Sequence, residues 1–399
     1  MKTEIFKENF AEAAEIIRAG GLVAVPTETV YGLAGNGLDA AAVEKIYEVK
    51  GRPAVKPLAL MVPDASAMEL YCEDVPEQAK FLAEKFWPGP LSIVLKSKEL
   101  VPGIVRAGGS TVALRCPDHA MTLGLLKAAK LPFAAPSANP SGEPSPKNAE
   151  TVKAYFDGKI EGIIDGGECG IGMESTIIDM SAAPYKILRR AALSEEKIRS
   201  ALAENLKVIG ITGGTGCGKT TALLELEKRG ALIIDCDAVY HELLESSGEM
   251  LSDIENAFPA AFEDGKLVRK KLGGIVFNDN EKLMQLNELT HRHIIREVES
   301  RLECWAMQGG KAAAIDAIAL IESGIAEHCS AVIGVVADRG ARIERIAARD
   351  NISREYAERR VDAQKNEEFY LKNCDYIARN DGTEQEFIAA LENILNEVL

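Results

Sequence analysis

Short apolar runs alternate with stretches of helical period along the whole chain. Phe10 to Ala19 has helical spacing and stops at Gly20-Gly21, and LVAVP follows as a short buried strand. Ala40 to Lys50 reads as a second helix, with Asp39 placed to cap its start and Gly51 to end it. PLALMV, LSIVL, TVALR and PFAAP read as strands, helices fill 76–86 and 118–130, and Gly166 to Thr176 reads as a glycine-rich hairpin. Leu193 to Asn205 reads as a polar helix, after which VIGIT, ALIID, AAAID and AVIGVVAD alternate with further helical stretches. Apolar runs separated by helices are strands buried on both faces, so the pattern predicts an α/β fold on parallel sheet. The clearest boundary lies near residue 205. It predicts two open α/β domains, 1–205 and 206–399, and the lack of a Gly/Ser linker predicts a stiff joint.

Composition narrows the class. At 399 residues and 47% hydrophobic, each half is long enough to bury its own core. No run reaches the roughly 20 apolar residues of a membrane helix. The start carries acidic residues where a signal peptide has an apolar run, so a cytoplasmic chain without membrane contact is expected. Eight cysteines without a CxxC pair predict buried free thiols. The net charge is −15, divided as −4 over 1–205 and −11 over 206–399, which disfavours nonspecific nucleic-acid binding by either half.

The chemistry is most legible in the second half. Gly213, Gly214, Thr215, Gly216, Cys217, Gly218, Lys219 and Thr220 fit GxxxxGK[ST], between an apolar strand and a helix-forming run that begins with Thr220 and Thr221. Such a loop wraps phosphates with backbone N–H groups; Lys219 reaches the β- and γ-phosphates of ATP and Thr220 holds Mg²⁺. Asp235 and Asp237 end the next strand, where one carboxylate can take a proton from an acceptor hydroxyl and the other can order Mg²⁺ through water. Arg342, Arg345 and Arg349 share one helical face, readable either as a lid over transferring phosphate or as a solvated face paired with Glu344 and Asp350.

In their order, GITGGTGCGKTT, IIDCDAVYHELLE, KLGGIVFND, THRHI, RIERIAARD, RRVDAQ and CDYIARNDG resemble the dephospho-CoA kinase family throughout 207–399. The resemblance implies a P-loop kinase domain with a parallel sheet and helical lid. It implies ATP and dephospho-CoA as substrates, Asp237 as catalytic base, Asp235 and Thr220 at the metal, and Arg345 or Arg349 as lid arginine. The chain departs from the family at Arg292, where a proline is usual, and at Asp316-Ala-Ile-Ala-Leu-Ile-Glu322, where Asp-x-Pro-Leu-Leu-x-Glu is usual. His291 and His293 lack a third metal ligand, so a structural or acceptor-contact role is expected of them.

The first half gathers polar residues at strand ends, the composition of a small-molecule pocket. They are PTETVYGL, the cations Lys50, Arg52 and Lys56, Thr111 and Arg115 flanking TVALR, PSANPSG, and EST before Leu188-Arg189-Arg190. Read alone, the three cations are either a triphosphate site or a solvated basic patch. PTETVYGL, KGRP with KPL, PSANPSG and ESTIID, in that order, resemble the YrdC-like family over 5–200. The resemblance implies synthesis of threonylcarbamoyl-AMP from L-threonine, bicarbonate and ATP with release of pyrophosphate. The product would reach tRNA indirectly, through downstream transfer proteins. By the same resemblance Lys50, Arg52, Lys56, Thr111, Ser137, Asn139 and Arg189 face ATP, and Thr27 or Thr29, Arg115 and Ser175 face threonine. Met61 stands where many relatives have histidine, and Ala191 where a glycine often follows. The competing reading is an RNA-binding module joined to a nucleotide-binding domain with a different acceptor or none.

Overall fold

Asp39 and Gly51 bound the helix Ala40–Lys50 by cap chemistry. The Asp39 carboxylate accepts from the Ala41 N–H at 2.9 Å, and Gly51 takes φ 59°, which a side chain disfavours. That helix delivers Lys50 and Arg52 to one end of the first sheet. The computed structural model describes residues 2–7 and 10–399. It divides into two units, Met1–Asn205 with Met307–Gly309, and Leu206–Ala306 with Gly310–Leu399.

The first unit is built on a ten-stranded sheet. It is mixed, with five antiparallel pairings and four parallel ones, which corrects the expectation of parallel sheet for this half. Connection length explains the difference. Only residues 26–31 join Val23–Val25 to Gly32–Asn36, too few for a crossover, so the pair is antiparallel. The expected hairpin over Gly166 to Thr176 is also absent. Residues 165–175 form a loop, and Thr176–Asp179 pairs with Leu91–Lys96 instead. The loop's donors go elsewhere: the Ile171 and Gly172 N–H groups donate to the carbonyls of Glu28 and Thr29 at 2.8 and 2.9 Å. This lays the glycine-rich segment over the PTETVYGL turn.

The second unit holds the parallel sheet that the sequence predicts. Its order is Leu232–Asp235, Ala312–Asp316, Lys207–Thr212, Ala331–Val336, Tyr376–Arg379, every pair parallel. Register sets Asp235 beside Asp316, so the acidic strand ends and the glycine-rich loop after Thr212 share one edge. Helix Glu384–Val398 seals one face through Phe387, Leu391 and Leu395, which pack with Leu226 and Ile333. All eight cysteines are free, five of them buried; Cys304 is exposed, against the expectation of burial. No helix among the described residues is long and apolar enough to cross a membrane.

Leu391 is fully buried in this cluster, so Leu391→Ala should cost about 2–5 kcal/mol. Amide hydrogen exchange in Lys207–Thr212 should then speed by about 30-fold or more. Unchanged exchange there would show that the helix is not part of that core.

Candidate functional site

Each unit carries a cavity into which charged side chains project. In the first unit it measures about 150 Å³ and is lined by Arg52, Arg115, Ser137, Ser175 and Arg189 of the predicted set. Arg115 ends the strand Thr111–Arg115 and is 6% exposed; its guanidinium donates to the Glu28 carboxylate at 2.8 Å and to the Thr29 hydroxyl at 2.7 Å. Thr29 in turn shares a 2.9 Å hydrogen bond with Thr27. The two threonines are thus fully buried behind Arg115 and do not line the cavity. Arg189 donates through Nε to the Ser175 carbonyl at 2.9 Å and through a terminal nitrogen to the Ser175 hydroxyl at 3.2 Å. Burial lowers the pKa of Arg189, and the charges of Arg115 and Arg52 lower it further against the pull of Glu174.

Lys50 is 3% exposed and donates to the carbonyls of Ser137 and Asn139, pinning the PSANPSG loop. Burial, aided by the Arg52 charge, brings its pKa down to about 8. Arg52 reaches the Pro57 carbonyl at 3.1 Å, and burial lowers its pKa too. Asn139 donates to the carbonyls of Pro140 and Glu143, and its side-chain oxygen is buried without a partner among the described residues. Lys56 is exposed, and Thr111 begins the strand that Arg115 ends, about 13 Å away along it. Lys50, Lys56, Thr111 and Asn139 do not line this cavity. Sequence reasoning missed Ser92, whose hydroxyl bonds that of Ser175 at 2.8 Å; Glu174 of the EST run also lines the pocket, held by Ser145 at 2.8 Å. Ser92 had a signal: it is the single polar residue in the run LSIVL.

The second unit's cavity, about 420 Å³, is lined by Gly214, Thr215, Gly216, Gly218, Lys219 and Thr220 of the glycine-rich loop. Two glycines are sterically required. A Cβ on Gly213, at φ 145°, would meet the Val335 carbonyl oxygen at 2.2 Å, and one on Gly218, at φ 105°, would meet the Asn380 amide at 2.3 Å. Gly213, Cys217 and Thr221 lie outside the lining. Lys219 donates to the Gly213 carbonyl at 2.9 Å. Asp235 caps the helix Cys236–Ser246 by accepting from the N–H groups of Asp237 and Ala238 at 2.8 and 3.1 Å. Both acids line the cavity, as do Arg345 and Arg349.

Arg342 does not line it. It is buried, donating to the Thr215 carbonyl at 3.1 Å and to Gln364 at 2.6 Å, while Gln364 also binds the Thr215 N–H and hydroxyl. Arg345 likewise donates to the Gly216 and Asn380 carbonyls at 3.3 and 3.0 Å. Both arginines therefore brace the loop. Missed from the sequence was Arg360, which also lines the cavity, as does Asp316, the acid that opens the run departing from the family. Asp316 has a buried oxygen without a partner among the described residues, and burial raises its pKa to about 6 against the pull of Lys219. A second cavity of about 280 Å³ adjoins the first, with Asp237 and Ile318 lining both. Its wall is mostly apolar, with Val276, Phe277 and Leu286 beside Tyr240, Thr290 and His291. Burial lowers the His291 pKa.

Comparison with known proteins follows the same division. The Sua5/YciO/YrdC family model, described as telomere recombination, matches residues 15–191, and the dephospho-CoA kinase model matches residues 207–386. A threonylcarbamoyl-AMP synthase of Pyrococcus abyssi is 50% identical over 48% of this chain and 56% of its own length. The chain thus spans only about half of that relative. A threonylcarbamoyl-AMP synthase of Pseudomonas syringae is 36% identical over 43% of this chain and 92% of its own length. A dephospho-CoA kinase of Bacillus cereus is 33% identical over 44% of this chain and 89% of its own length. The chain therefore belongs to two enzyme families, the Sua5/YciO/YrdC family through residues 15–191 and the dephospho-CoA kinase family through residues 207–386.

Proposed function

We propose that the chain is a bifunctional cytoplasmic enzyme whose two domains, 1–205 and 206–399, each consume ATP. The first forms threonylcarbamoyl-AMP from L-threonine and bicarbonate and releases pyrophosphate, its product passing to tRNA through downstream transfer proteins. The second phosphorylates the ribose 3′-hydroxyl of dephospho-CoA. The observation that carries the kinase reading is the shared wall of its two cavities: Asp237 lies between a phosphate-binding loop and an apolar chamber. A carboxylate there can accept the proton of an acceptor hydroxyl as it attacks the γ-phosphate, with Lys219 stabilising the charge that develops on the phosphates.

Mg²⁺ fits the residues of that cavity. Its donors are hard oxygens, namely the Thr220 hydroxyl, the Asp235 carboxylate and the unpartnered oxygen of Asp316. Among the described residues no group of three or more ligands could hold a metal alone, consistent with a cation bound through water and phosphate. Bound there, it would neutralise charge on the β- and γ-phosphates.

For the first domain the supporting observation is the convergence of Arg52, Arg115 and Arg189 on one cavity. Arg52 and Arg189 there can bind a triphosphate and offset charge on the leaving pyrophosphate, with Arg115 beside them for the carboxylate of threonine. Glu174 and Ser175, at the end of the loop 165–175, line that cavity, where exclusion of water would protect a labile carbamate.

Lys219→Ala should lower dephospho-CoA phosphorylation by on the order of a hundredfold or more and leave threonine-dependent pyrophosphate release intact. Arg52→Ala should do the reverse. Loss of both activities in either variant would show that the sites are not independent. Lys50 is protonated below about 8 and neutral above it, because burial disfavours its charge. Pyrophosphate release should accordingly fall as pH rises through about 8, and Lys50→Arg should move that fall to higher pH. An identical profile in Lys50→Arg would acquit Lys50.

A further inference from the structure

The helix Arg339–Asp350 ends on an acid, where exposed carbonyls at a helix C-terminus favour a cation. Asp350 is compensated by two arginines. Arg349 donates Nε to one carboxylate oxygen at 2.7 Å and a terminal nitrogen to the other at 3.1 Å; Arg360 donates to that second oxygen at 2.6 Å. These contacts hold the Asp350 carboxyl down at about 2.

Arg360 belongs to the next helix, Arg354–Asp362, packed on the first through Ile343, Ile346, Ala357 and Val361. Arg349 and Arg360 both line the nucleotide cavity and Asp350 does not, so the carboxylate stands behind them. A guanidinium carries five N–H donors; Asp350 takes two from Arg349 and one from Arg360, leaving the others for a ligand. Arg342 and Arg345, by contrast, are engaged by the carbonyls of the loop itself. Two like charges on different helices repel, and long exposed side chains lose rotamer freedom when ordered. A carboxylate bridging both removes the repulsion and orders the pair before phosphate arrives.

Resting on the kinase reading, we infer that Arg360 acts with Arg349 on the γ-phosphate of ATP, and that Asp350 is the positioning residue that sets the pair. Neither Asp350 nor Arg360 was marked by the glycine-rich loop or the acidic strand end. Their roles depend on the two helices meeting.

The test uses the full chain with Asp350→Asn, Asp350→Glu, Arg360→Ala and the Asp350→Asn/Arg360→Ala double variant. Calorimetry with MgADP and MgATP needs no acceptor, and is run in an Arg52→Ala background so that the first domain's nucleotide site does not contribute. Asp350→Asn and Arg360→Ala should each keep MgADP affinity within about twofold while losing about tenfold for MgATP. With dephospho-CoA as acceptor, kcat should fall on the order of a hundredfold in both. The double variant should lose little more than either single one, and Asp350→Glu should recover part of the loss. A merely structural Asp350 would lower MgADP and MgATP binding together, and that result would overturn the inference. So would full kcat and MgATP preference in Asp350→Asn, or additive losses in the double variant. A wild-type chain that prefers MgATP yet does not phosphorylate dephospho-CoA would sink the acceptor reading alone, with the calorimetric arm still deciding the role of Asp350.

Discussion

Main-chain carbonyl oxygens hold most of the positive side chains around both cavities. Lys50 rests on Ser137 and Asn139, Arg52 on Pro57, Arg189 on Ser175, Lys219 on Gly213, Arg342 on Thr215, and Arg345 on Gly216 and Asn380. A carbonyl dipole fixes a cation's position without cancelling its charge. A carboxylate in the same place would fix it equally well but offset part of its charge, so more than one guanidinium must share it to keep a net attraction for phosphate. The choice of partner therefore keeps a cavity cationic, although the chain carries a net charge of −15.

The arrangement has a cost. A cation solvated only by dipoles is less well off than in water, as the downward shifts of Lys50, Arg52 and Arg189 record, each caused first by burial. The rigid sheets on either side offset it. The carbonyl acceptors sit at strand ends and in loops whose own N–H groups are bound, such as the Ser141 N–H on the Lys50 carbonyl at 2.8 Å. The exceptions are informative. Arg115 is paired with Glu28, and Arg349 and Arg360 with Asp350, so these arginines are oriented by charge.

What the sequence made legible is local. Asp39 and Gly51 bound their helix because capping needs only neighbours, and GxxxxGK[ST] specifies its loop because the steric demands at Gly213 and Gly218 arise from strand and loop packing that recurs with the motif. What stayed hidden depends on distant partners. Asp316 is one acid at the end of AAAID until strand register sets it beside Asp235. Arg360 is one arginine of a charged helix until that helix packs on Arg339–Asp350. Residues 165–175 look like a hairpin because glycine content marks turns but not which strand Thr176–Asp179 will join.

The departures from the kinase family separate in the same way. Arg292 pairs with Asp253, beside His293, and does not line the cavity next to Asp237, whereas Thr290 and His291 do. A proline's absence there changes the outer side of the helix Asn280–Met307 more than the chamber. Ala317, Ile318 and Ala319 do line it, and Ile318 also faces the nucleotide cavity. Of the run's departures, Ile318 and Ala319 are therefore the two that face the chamber. They share that wall with Asp237, so a change of side-chain volume there alters the space beside this carboxylate before it alters the rest of the chamber.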